Sequence, residues 1–219
     1  MTADAERRHG RRRDADATRA ALLRAARDLF GLHGYEAVTL RDIGERAGAD
    51  ASLIARYFGN KAALYRSAVA EDGREVPAAP PVFDLTAYTA QALRRVDERG
   101  TPGPLVQSLV SQGGAPEARE AAANDVRTRL IDPLVDHLTA EGVPDPDGTA
   151  ETLVACLMGV IAMRPGGLFP ALTRADPETV GALLHAAARS AVPFLARAAA
   201  EDVGETPETE GDIDVAPES

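Results

Sequence analysis

Tryptophan is absent, cysteine occurs once, and aromatic residues make up only 4% of the 219-residue chain. The lone Cys156 excludes a disulfide within the chain and any multi-cysteine zinc site, which suits a reducing compartment. No run of about 18 apolar residues occurs, and the basic N-terminus has no apolar segment behind it, so neither a membrane span nor a signal peptide is expected. The expectation is a cytoplasmic protein without membrane contact. Catalytic signatures are missing as well. His9, His33, His137 and His185 show no close metal-ligand spacing, no glycine-rich phosphate loop follows a strand, and Cys156 sits among apolar residues as a small hydrophobe. No enzyme activity, metal or cofactor is expected.

Alanine and leucine abound, which favours an all-α build. The formal charge of -10 is unevenly spread. Residues 1–66 carry net +4 and residues 67–219 net -14. That asymmetry predicts a basic, polyanion-facing head on an acidic body.

The head centres on Thr39 to Lys61. Thr39 with Asp42 three residues on is a helix-start signature, and Leu40, Ile43 and Ala47 form one apolar stripe before Gly48 ends the helix. Asp50 can cap a second helix, in which Ile54 and Phe58 point inward while Ser52, Leu53 and Arg56 point outward and Tyr57 flanks that face. A preceding helix over 16–33 buries Leu22, Ala26, Leu29 and Phe30, stops at Gly34 and lets Tyr35 fold back. With Val38 these residues make the core of a three-helix unit of helix-turn-helix form. Residues 1–15, with Arg7, Arg8, Arg11, Arg12 and Arg13, read as a disordered basic arm. A fourth helix starts at Lys61 behind an Asn60 cap and ends near Asp72.

Thr18 to Leu64 resembles the N-terminal DNA-binding domain of the TetR family of transcriptional repressors. The marks are Ala26, Phe30, Gly34-Tyr35, Thr39, Ile43, Ala47-Gly48, Phe58 and Lys61, in order and without gaps. Two departures stand out: Ala55 occupies a position where many members carry a phosphate-touching Tyr, and Asp50 replaces the usual Ser or Thr cap. The resemblance implies a domain at 16–72 that binds double-stranded operator DNA, with Ser52, Leu53 and Arg56 near base edges and Thr39, Tyr57 and Lys61 on phosphates. Arg41 can reach either.

Residues 73–83 are too rich in proline for a helix and read as a linker. The body, 84–200, is expected to be helical, with Asp84 capping a helix to about 98 and a short helix opening at Thr101-Pro102. A long helix over 116–141 follows, kinked by Pro133, and then two apolar helices over 149–164 and 177–200. Residues 201–219 hold eight acids and no base, the composition of a disordered tail. The resemblance gives the body two uses, binding a small-molecule effector and forming a homodimer. Candidate effector contacts are Phe83, Tyr88, Leu109, Leu130, Leu134, His137, Met158, Met163 and Phe169, an apolar wall with little charge that suits an apolar or amphipathic molecule. Candidate dimer residues on the last two helices are Leu153, Leu157, Gly159, Ala186, Ser190 and Phe194.

The function implied is a ligand-responsive regulator, a repressor that binds a palindromic operator as a dimer and is released by its effector. A second reading, supported by the acidic total charge and Ala55, is a small-molecule-binding helical dimer that no longer reads DNA. A third is a partner-recruiting adaptor acting through the acidic tail.

Overall fold

The computed structural model describes residues 2–76, 84–111 and 114–202; these hold eleven α-helices, one π-helical turn and no strand. Helix α1 (Thr2–Ala37) breaks internally at Gly34, whose φ of 77° and ψ of 175° leave the helical region. The expected arm at 2–15 is helical instead, continuous with α1. Extending an existing helix avoids the cost of nucleation, and Ala, Arg and Glu are strong helix formers, so the lack of apolar contacts does not prevent it.

Helices α2 (Leu40–Ala47) and α3 (Ser52–Phe58) pack on α1 as the helix-turn-helix. The Thr39 side chain accepts from the Asp42 N–H at 3.2 Å, and the Asp42 carboxylate accepts from the Thr39 N–H at 2.9 Å, a reciprocal cap. Gly48 ends α2 in the left-handed region at φ 64°. At Gly44 a Cβ would meet the Ala49 carbonyl oxygen at 2.9 Å, so the turn into α3 requires a glycine there. The expected head core forms: Leu22, Ala26, Phe30, Val38, Ile43 and Ile54 are buried, and Leu29, Leu40, Ala47 and Phe58 pack around them.

Helix α4 (Lys61–Glu75) starts as expected, with the Asn60 side chain accepting from the Ala63 N–H at 2.8 Å, but it runs three residues beyond Asp72. It touches α1 and α3 on one side and α6 and α7 on the other, so it belongs to head and body alike. The remainder of the expected linker, 77–83, lies outside the described residues.

The body comprises α5 (Leu85–Arg99), α6 (Pro104–Val110), α7 (Pro116–Val126), a π turn (Arg127–Ile131), α8 (Asp132–Ala140), α9 (Pro146–Met163), α10 (Pro170–Arg174) and α11 (Pro177–Asp202). Helix α6 starts two residues later than Thr101-Pro102 predicts, and α9 starts at Pro146 rather than at 149, with Asp145 accepting from the Gly148 N–H. The expected disturbance at Pro133 takes the form of the π turn just before it. Proline has no N–H to donate and its ring crowds the carbonyl one turn back, and the wider turn absorbs both. The short α10 was not expected. Buried Arg164 anchors it, donating to the Leu172 and Ala175 carbonyls at 2.8 Å each and pairing twice with Asp97 on α5 at 2.7 and 2.9 Å.

Candidate nucleic-acid interface and effector cavity

In α3, Ile54 is fully buried, and Phe58 packs beside it under the Arg19 guanidinium at 4.9 Å from the ring centre. At about 100° per residue, Ser52 and Arg56 fall on the side opposite Ile54. Both are exposed, as is Ala55 between them. Leu53 corrects the expectation: it is half-buried and packs against the core, on the flank of Ile54 that the neighbouring helices cover. Tyr57 is likewise half-buried, with the Arg56 guanidinium 5.9 Å from its ring centre. Asp50 does not occupy the N-cap position, which is Ala51, yet its carboxylate accepts from the Ser52 N–H at 2.7 Å. That bond holds the Asp50 carboxyl below its ordinary range.

The flanks of α3 carry the other candidates. Thr39 is exposed at the start of α2, and its hydroxyl bond holds the Asp42 carboxyl below the ordinary range. Arg41 is 85% exposed and pairs with Glu45 at 2.7 Å, a surface contact that a phosphate can replace at little cost. The Lys61 Nζ lies 4.3 Å from the Tyr35 ring centre and 3.5 Å from the Glu36 carbonyl oxygen. An ammonium at a helix N-terminus gains nothing from the macrodipole; here a π face and a carbonyl hold it. Thr39 before α2 and Ser52 and Arg56 on α3 are thus exposed, while Lys61 at the start of α4 is half-buried.

In the body, a cavity of about 50 Å³ lies between α4, α5, α6, α7 and α9. Three expected contacts line it: Tyr88, Leu130 and Met158. Burial pushes the Tyr88 phenol up to about 12. The other expected contacts lie elsewhere. Leu134 is buried in the core, Leu109 packs at its edge, half-buried His137 sits 3.3 Å from Glu141, and Met163 and Phe169 are 42% and 48% exposed. Phe83 lies outside the described residues. An apolar side chain on a helix says nothing of which neighbour it meets. The expectation of little charge is also corrected, since Asp72, Glu75, Arg95 and Arg99 all line the cavity.

Those charges form the joint between head and body. The buried Asp72 carboxylate accepts from Arg99 at 2.8 Å, from the Leu105 N–H at 3.2 Å and from Arg27 of α1 at 3.3 Å. Glu75 pairs with Arg27 at 2.7 Å and also with Arg99. Arg95 and Arg129 donate to the last carbonyls of α4, Glu75 at 2.7 Å and Val76 at 3.3 Å. In sequence these are ordinary helix-surface charges. The only signal was the spacing of Arg95 and Arg99, one turn apart on an amphipathic helix.

The last two helices do not form a free apolar pair. Helix α11 packs along α5 and touches α9, and a Cβ on Gly181 would meet the Thr86 carbonyl oxygen at 2.5 Å, so that small residue serves contact within the chain. Leu157 is buried and cannot serve a dimer, whereas Leu153 is half-buried and Gly159, Ala186 and Ser190 are exposed. A Cβ on Gly159 would meet nothing. Leu183 is 65% exposed on the same pair of helices, and Phe194 lies outside the described side chains. Among the described residues no helix is long and apolar enough to cross a membrane.

Residues 22–68 match the family model described as bacterial regulatory proteins, tetR family. The chain is 32% identical over 140 residues to the uncharacterized HTH-type transcriptional regulator YdeS of Bacillus subtilis, covering 62% of this chain and 67% of that protein. Two solved structures share the fold. A tetR-family transcriptional regulator from Streptomyces coelicolor is 20% identical with a TM-score of 0.62, over 86% of each chain. NalD, the secondary repressor of the MexAB-OprM multidrug efflux pump in Pseudomonas aeruginosa, is 21% identical with a TM-score of 0.56, over 81% of this chain and 96% of that one.

Proposed function

From its membership of the TetR family, which makes the chain a DNA-binding transcriptional regulator and not an enzyme, we propose a repressor that binds a palindromic operator as a homodimer and leaves it when a small molecule enters the body. The observation that carries this reading is the exposed Ser52–Arg56 face of α3, held on a back anchored by Ile54 and Phe58. In the major groove Arg56 contacts a base edge, in the manner of bidentate Arg–guanine pairs, while Thr39, Tyr57 and Lys61 hold phosphates. Ala55 supplies no phosphate contact. Leu53, half-buried, offers at most a methyl-sized edge to a thymine.

Dimerisation through the exposed faces of α9 and α11 sets two heads about 34–36 Å apart, one turn of duplex, so that both read a palindrome. The cavity of about 50 Å³ is too small for an effector of ordinary size, so effector binding needs a state in which the walls of the cavity part. Because α4 is both a cavity wall and the base of the head, a ligand that favours the opened state shifts the heads by its differential affinity. The test is Arg56→Ala, measured by fluorescence anisotropy on a duplex selected from a random pool and on a scrambled one. Loss confined to the selected duplex supports base reading; equal loss on both refutes it.

A further inference from the structure

The joint between head and body holds two guanidinium groups for which, among the described residues, backbone carbonyls are the acceptors. Arg95 on α5 and Arg129 in the π turn donate to the Glu75 and Val76 carbonyls at the end of α4, and among the described residues neither has a carboxylate within ion-pair distance. The intervening stretch 77–83 contains no acidic residue. Nearby Asp72 and Glu75 are already engaged by Arg27 and Arg99. Both guanidiniums act on the Tyr88 phenol, favouring its charged form against burial. Arg95 and Tyr88 line the cavity together with the apolar Val96, Leu105, Val126, Leu130, Met158 and Ile161. Cations at a helix C-terminus are well placed for the macrodipole, but a carbonyl is a weaker acceptor than an oxyanion.

Resting on the proposed effector-responsive function, we infer that the effector is an organic anion, a carboxylate with an apolar tail, whose oxygens are bound by Arg95 and Arg129. The tail lies against the apolar wall, where the flexible thioether of Met158 gives way to admit it. The carboxylate replaces the Glu75 and Val76 carbonyls as the acceptor for both guanidiniums. In doing so it frees the end of the helix that carries the head, which gives the ligand the differential contact that release of DNA requires.

The experiment is calorimetric titration of the full chain, without DNA, with hexanoate, decanoate and benzoate, each against the alcohol of the same skeleton. At least one acid is expected to bind about tenfold or more tightly than its alcohol, as a charge-assisted bidentate contact implies. In Arg95→Gln and Arg129→Gln that ratio falls toward one, while Arg95→Lys, which keeps the charge and guards against a folding defect, retains part of it. If no acid outbinds its alcohol, or if the preference survives both glutamine variants, the inference is overturned, and operator binding by the same protein would leave the regulator reading intact. If an acid binds with the expected preference yet releases no selected duplex, the anion site stands and the effector-release reading falls.

Discussion

The Asp72 carboxylate of α4 lies 2.8 Å from the Arg99 guanidinium of α5, and the same carboxylate accepts from Arg27 of α1 and from the first turn of α6. One buried acid thus holds two helices of the body against two that carry the head. The arrangement is sensitive to the loss of that carboxylate, which would leave the buried Leu105 N–H without its acceptor, although Arg27 and Arg99 would keep Glu75 as a partner.

Asp72→Ala is therefore expected to destabilise the protein by about 1–3 kcal/mol. Asp72→Asn, which keeps an acceptor for the Leu105 N–H, should lose less. Urea unfolding followed by circular dichroism checks both, and a change within error for Asp72→Ala would show that the network contributes nothing.

Lys61 is the only lysine in the chain. Lys61→Ala should weaken binding to selected and scrambled duplexes alike and reduce the log–log salt slope by about 0.9, the share of one phosphate. Titrations of both duplexes at several salt concentrations measure this. An unchanged slope would remove Lys61 from the phosphate contacts.

Two glycines on the last helices distinguish packing within the chain from the proposed packing between chains. Gly181→Val places a Cβ against the Thr86 carbonyl and should cost about 1–3 kcal/mol of stability. Gly159→Phe enters open space in the monomer, so unfolding should shift little while the dimer dissociates. Analytical ultracentrifugation beside thermal unfolding distinguishes the two. A Gly159→Phe protein that stays dimeric places the interface elsewhere.

Acid should weaken the fold over a defined window. The Asp176 cap of α11 is held down to about 2, first by the Glu178 side chain and then by the Thr179 N–H and hydroxyl, against an ordinary value of 3.8. Asp42 and Asp50 are lowered for similar reasons. A carboxyl lowered by folding contributes stability that is fully present above its unfolded value and is lost as pH falls through its folded one. Unfolding midpoints should accordingly drop from about pH 4 toward pH 2, and Asp176→Asn should flatten part of that fall. A variant curve parallel to the parent would exclude the cap as a contributor.

Much of the head is legible in the sequence. Its ten expected core residues all pack in or against the core, and the caps at Thr39, Asn60, Asp84 and Asp176 each accept the backbone N–H expected of them. Leu53 was misplaced because a seven-residue helix leaves its flanks half-covered, and a purely inward or outward assignment has no place for them. The basic arm was misjudged by composition, which weighs apolar burial and overlooks the ease of lengthening a helix already formed. The cavity was mostly illegible: five of its expected contacts lie elsewhere, and the arginines and acids that line it were indistinguishable from surface charge.

The amino-acid order alone determined the helical class, the three-helix head, the exposed Ser52–Arg56 side of its third helix and the break at Pro133, because each depends on residues within a few turns of one another. Tertiary structure alone decided that Asp72 joins head to body, that Gly181 serves α5 while Gly159 stays open, and that Arg95 and Arg129 meet at the end of α4. Those pairings link residues from 20 to 95 positions apart; helical periodicity specifies which face a side chain occupies, and only the packing of whole helices specifies what that face meets.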